Sequence, residues 1–66
     1  MFNKRQIEYM EQLGIKCNFE RLRDDDLVVI EDVVGEKLQI SGFDKNYNLT
    51  EDGKMCEGIL DLCYEY

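Results

Sequence analysis

The first apolar stripe along the chain has a helical period. It is formed by Ile7, Met10 and Leu13, with Tyr9 at its margin. Asn3 and Gln6 stand at the two positions of a capping box, in which each side chain accepts the other residue's backbone N–H. The pattern therefore predicts a helix over about residues 3–13.

The end of this helix is also marked. Gly14 follows the stripe, where a left-handed residue closes a helix, and Ile15 can pack back on Met10 in a Schellman motif. Residues 15–19 then alternate apolar and polar side chains without a clear partner strand. We expect an extended connector that turns Cys17 and Phe19 inward.

A second stripe occupies the middle of the chain and predicts a helix over 24–41. Its members are Leu27, Ile30, Val34 and Leu38. Asp24, Asp25 and Asp26 favour the positive end of a helix dipole, and Gly42 is placed to end the helix as Gly14 does. The cap residue stays open: Asp24 is the better cap chemically, whereas Arg23 would allow Leu22 and Leu27 to form a hydrophobic staple.

The same segment also has strand-forming residues. Val28, Val29 and Val33 favour β-structure, and Gly35-Glu36 could turn a hairpin. The alternative fold is therefore α+β, with a short hairpin and residues 15–19 pairing with part of 27–41. The helix is preferred because it explains the period, the acidic start and the glycine stop together.

A third helix is predicted over 50–65, with Thr50 as its cap and one broad apolar face. The face contains Met55, Ile59, Leu62 and Tyr66, flanked by Cys56, Leu60 and Cys63. Gly35 and Gly58 fall at similar heights if the last two helices run antiparallel, so they are candidates for a close crossing. We expect one all-α domain over 1–66, a small three-helix bundle.

Charge is distributed unevenly. The net charge is −7, and residues 24–66 contribute −9, with three lysines against twelve carboxylates. Such a field repels nucleic acid and anionic lipid and attracts basic protein surfaces. No apolar run approaches a membrane span, and no signal peptide is visible. With three cysteines, which we expect to be reduced, the sequence indicates a cytoplasmic protein.

Candidate chemistry is sparse. Residues 44–55 carry oxygen side chains at alternate positions, as an EF-hand loop does, but Leu49 replaces its glycine and Met55 its closing glutamate. There is no histidine and no C-x-x-C pair, and neither Ser41 nor Thr50 has an activating partner. We expect no catalysis and no cofactor, and assign no catalytic or metal-binding residue.

Two functions remain. The first is an acidic interaction module that binds a basic protein surface, with oligomeric state undetermined. Its candidate partner face is Asp24, Asp25, Asp26, Glu31, Asp32 and Glu36. The second is a weak metal-binding helix–loop–helix with a degenerate EF-hand-like loop at 44–55.

The chain also resembles a known group. The pattern runs from Asp24-Asp25-Asp26-Leu27 through Gly42-Phe43-Asp44 and continues at Thr50, Gly53-Lys54 and Ile59-Leu60-Asp61. It is similar to small acidic uncharacterised proteins of Firmicutes and of their phages and conjugative elements. Members of that group often have serine where Arg23 stands. The resemblance implies a bacterial or mobile-element cytoplasmic protein and no site residues.

Overall fold

Three α-helices account for most of the chain in the computed structural model, which describes residues 2–65. They are α1 (Lys4–Gln12), α2 (Asp24–Ser41) and α3 (Glu51–Glu65). The prediction of a small all-α three-helix bundle is confirmed, with each boundary within one residue. Tyr66, the last member of the third predicted stripe, lies outside the described residues.

The ends of α1 follow the predicted motifs. Asn3 Oδ1 accepts the Gln6 N–H at 2.8 Å, and Gln6 Oε1 accepts the Asn3 N–H at 2.9 Å. At the other end Gly14 has φ +92°, and the Ile15 N–H donates to the Met10 carbonyl at 3.1 Å. These bonds satisfy backbone groups that a helix leaves without partners, and they fix α1 locally.

The connector between α1 and α2 contains no strand but does contain a turn. The Arg21 N–H donates to the Asn18 carbonyl at 3.0 Å. Cys17 and Phe19 are half-buried, as expected, and the Phe19 ring meets Phe2 edge-on at a centroid distance of 6.4 Å. The connector is therefore less extended than predicted, because it bends back over the start of α1.

Helix α2 is continuous, so the α+β alternative is wrong. Its N-cap is Arg23, whose N–H donates to Asp26 Oδ2 at 3.1 Å. Ile30 and Val34 are fully buried on one side of the helix. Burial of this helical stripe outweighs the strand preference of the valines, since that preference depends on context.

The end of α2 differs from the prediction. Gly42 is the C-cap, but its φ of −78° is right-handed, and its N–H donates to the Leu38 carbonyl at 2.8 Å. Glycine is needed there for space, since a Cβ would collide with the Leu38 carbonyl and side chain. The second helix therefore does not repeat the left-handed ending of the first.

Helices α2 and α3 form the main helix pair, and α1 covers the shared core. The fully buried side chains with the largest volumes are Met10, Ile30, Val34, Cys56 and Ile59. The molecule measures 38 × 19 × 18 Å, so it is elongated. The side of α2 that carries Asp25, Val29 and Ile40 is exposed outside the bundle.

Candidate partner-binding surface

The outward side of α2 carries three acidic and two aliphatic residues. At about 100° per residue, five positions spaced by three or four fall within a sector of about 80°. They are Asp25, Val29, Asp32, Glu36 and Ile40, and we call them the outer seam. All five are exposed, and they lie well away from the core side marked by Ile30 and Val34.

The aliphatic members of the outer seam are exposed to solvent. Ile40 is 72% exposed and Val29 49%. Val28, next to the outer seam on the same helix, is 56% exposed. Val29 and Ile40 are three helical turns apart, so they offer two separate apolar contacts, each next to exposed carboxylates.

The six predicted face acids divide into two groups. Asp24, Asp25, Asp32 and Glu36 are exposed, whereas Asp26 and Glu31 are half-buried. Three of the predicted acids therefore lie on the outer seam, Asp24 is exposed outside it, and the other two are half-buried.

The two half-buried acids have neighbours within the fold. Burial raises the pKa of the Cys17 thiol, and the negative charge of Asp26 raises it further. Burial likewise raises the pKa of the Cys63 thiol, with Glu31 as the second cause. Asp26 and Glu31 therefore lie near the thiols of Cys17 and Cys63 and are less exposed than the acids of the outer seam.

The acids of the outer seam have no basic neighbour that neutralises them. Among residues 2–65 the one ion pair joins Lys54 Nζ to Glu51 Oε1 at 3.5 Å, on α3. Lys37, the basic residue of α2, is half-buried and lies at a helical position outside the outer seam. The negative potential of this side is therefore available to an incoming group.

The 44–55 segment uses its oxygen atoms for its own backbone. Asp44 Oδ1 accepts the N–H groups of Asn46 and Asn48 at 2.8 and 3.0 Å. The Thr50 hydroxyl caps α3 by accepting the Gly53 N–H at 3.0 Å. Over residues 2–65 no three Asp, Glu, Cys or His side chains come together as a metal would require. The geometry gives no support to an EF-hand-like site.

A polar cluster between α1 and α3 was missed by sequence reasoning. The Tyr9 hydroxyl donates to Asp52 Oδ1 at 3.3 Å and lies 3.6 Å from Cys56 Sγ. Burial is the main cause that raises the pKa of Tyr9, and Cys56 and Asp52 add to it. The residues are more than 40 positions apart, so no local pattern signals the cluster.

Comparison with known proteins gives no match. No protein-family model, no curated protein and no solved structure matches this chain at a significant level. The similarity to small acidic Firmicutes proteins therefore stays a hypothesis. Within residues 2–65, no helix has the length and apolar character needed to cross a membrane.

Proposed function

We propose that the protein is a non-catalytic acidic interaction module that binds a basic protein surface through the outer seam of α2. The observation that carries this proposal is the exposure of Asp25, Asp32 and Glu36 on one side of one helix, without an ion-pair partner among residues 2–65. Unpaired charges of one sign steer a partner of opposite charge and set the rate of encounter.

A catalytic role has less support. Two open clefts, of about 520 and 280 Å³, are lined mainly by polar and charged side chains. Their linings include no serine, threonine or cysteine, and the buried thiols of Cys56 and Cys63 lie elsewhere. Asp26 lines the first cleft, and Glu51 and Lys54 line the second, but neither cleft places a serine, threonine or cysteine beside a base, which favours a binding role.

The test compares two triple variants with equal net charge. D25N/D32N/E36Q neutralises the outer seam, and E57Q/D61N/E65Q neutralises three exposed acids of α3. Each removes three carboxylates and changes the net charge from −7 to −4. A general charge effect would weaken binding equally in both, whereas a defined face would not.

The experiment has a capture step and a quantitative step. The immobilised wild-type protein captures partners from the native host lysate at low salt, and calorimetry then measures the affinity of the purified partner. We expect the α2 variant to lose at least about tenfold in affinity and the α3 variant to retain it, with steep weakening as salt increases. Salt-insensitive binding, or equal losses in the two variants, would contradict the proposal.

A further inference from the structure

The outer seam contains more than charge, and its aliphatic residues restrict the kind of partner. On this side of α2, Val29 lies between Asp25 and Asp32, and Ile40 lies beyond Glu36. Val29 and Ile40 are three helical turns apart. A partner that offered charge alone would leave both side chains in water. We therefore expect a partner of the outer seam to make apolar as well as basic contacts.

The length and straightness of the outer seam suit a helical partner. Its five residues, at i, i+4, i+7, i+11 and i+15, form a straight row along α2, against which a second helix can pack lengthwise. From Asp25 to Ile40 it extends about 22 Å, the length of a helix of about 16 residues. We propose that the outer seam binds an amphipathic basic helix, whose apolar side chains contact Val29 and Ile40 and whose Lys or Arg residues meet Asp25, Asp32 and Glu36.

Charge decides between this partner and a second copy of the chain. Two copies packed through their outer seams would bring up to six carboxylates together without a basic residue from either seam. Each copy also has a net charge of −7, so association would be opposed over a longer range. A basic helix covers the same aliphatic residues and neutralises the carboxylates at the same time. The inference rests on the proposed function and names the partner class for the same site.

The test uses two synthetic peptides of about 16 residues with the same Leu and Lys composition. One places leucine at helical i, i+3, i+4 spacing, and the other has a scrambled order with no helical period. Both carry the same charge, so only the presentation of the apolar side chains differs. Binding is measured by calorimetry with the whole protein, and the contact surface by amide chemical-shift changes.

Variants of the protein separate the contribution of the aliphatic side chains from that of the charges. V29A/I40A shortens the aliphatic side chains and keeps every charge, and alanine favours the helix. Y64A is the matched control, because Tyr64 is 72% exposed on α3, away from the outer seam. D25N/D32N/E36Q removes the charges and leaves the aliphatic residues in place.

We expect the periodic peptide to bind at least about tenfold more tightly than the scrambled one. V29A/I40A should remove most of that difference, and Y64A should not.

Equal affinity for the two peptides, with both lost in D25N/D32N/E36Q, would overturn the helical partner and leave the proposed function standing. Failure of both peptides to bind, or binding unaffected by D25N/D32N/E36Q, would count against the proposed function itself. A concentration-dependent dimer in sedimentation, abolished by V29A/I40A, would assign the outer seam to a second copy and overturn the inference.

Discussion

The Thr50 hydroxyl donates a hydrogen bond to the carbonyl oxygen of Ser41 at 2.7 Å. The Thr50 hydroxyl oxygen in turn accepts the Gly53 N–H at 3.0 Å, so one side chain serves the last turn of α2 and the first turn of α3. The Thr50 N–H adds a bond to the Gly42 carbonyl at 2.9 Å. These hydrogen bonds hold the last turn of α2 against the first turn of α3, and so they fix the two helices relative to each other where the loop joins them.

Replacing Thr50 with valine should destabilise the protein by about 1–2 kcal/mol, measured by urea denaturation followed by circular dichroism. Valine has nearly the same shape, but it cannot cap α3 or donate to Ser41. T50S is the control, since it keeps the hydroxyl, and it should stay within about 0.5 kcal/mol of the wild type. A loss in T50S as large as that in T50V would show that the methyl group matters as much as the hydroxyl, and a loss in T50S alone would contradict the capping role.

Close approach between α2 and α3 occurs at their joined ends. A Cβ on Gly53 would collide with the Gly42 carbonyl and with Leu49 Cδ1. The sequence hypothesis of a crossing at Gly35 and Gly58 is wrong. A Cβ on Gly35 would meet no atom within 4 Å, and one on Gly58 would meet only Gln6 Nε2 at 3.6 Å. Gly35 therefore weakens its helix without a packing reason.

Replacing Gly35 with alanine and replacing Gly53 with alanine should have opposite effects on stability. G35A should stabilise the protein by about 0.5–1 kcal/mol, because alanine restricts the unfolded chain and fits the helix without contact. G53A should destabilise it by about 1–3 kcal/mol, because the added methyl group forces the joined ends apart. The midpoints of thermal unfolding provide the comparison, and a loss of stability in G35A would contradict this account.

Local signals in the sequence predict the three helices and both ends of α1. The Asn3–Gln6 capping box and the Gly14–Ile15 helix ending each involve residues within one or two turns, so their bonds can be read from spacing alone. The right-handed φ of Gly42 could not be predicted in this way. The Gly42 carbonyl accepts the Thr50 N–H and lies close to Gly53, and the spacing of residues in α2 does not indicate either contact.

The candidate site was predicted only in part, because the exposure of each carboxylate depends on how α2 packs in the fold. The acidic run predicted charge on α2, but the rotation of the helix decides which carboxylates face outward. The apolar stripe through Ile30 and Val34 contained that information, because it leaves Val29 and Ile40 on the opposite side. The environments of Asp26 and Glu31 depend on Cys17 and Cys63, which are distant along the chain.

Tyr9 should keep its proton to higher pH in the folded protein than in the unfolded chain. Burial, Cys56 and Asp52 all raise its pKa above the ordinary value of 10.0. A raised folded pKa contributes stability below the unfolded pKa, and that contribution is lost as pH rises through the folded value. The free energy of unfolding should therefore fall more steeply above about pH 10 in the wild type than in Y9F.

Tyrosinate absorbance gives the direct measurement. The difference between the titrations of wild type and Y9F isolates the Tyr9 component, which should appear above about pH 10 in buffer and return to the ordinary range in concentrated urea. A Tyr9 component with the ordinary pKa in the folded protein would contradict the hydrogen-bonded position of its hydroxyl. D52N, which removes one of the causes, should shift the component toward the ordinary value.

Cys17 should be the first thiol to react with an aromatic disulfide reagent, since it is half-exposed whereas Cys56 and Cys63 are buried. Its reaction should need a higher pH than a free cysteine does, because the thiolate is the nucleophile and both burial and Asp26 raise the pKa of Cys17.

D26N should lower the pH at which Cys17 reacts, and the asparagine oxygen can still accept the Arg23 N–H. D25N is the matched control, because it removes the same charge from an exposed neighbour. Equal shifts in D26N and D25N would mean that net charge, rather than the placement of Asp26, controls the thiol.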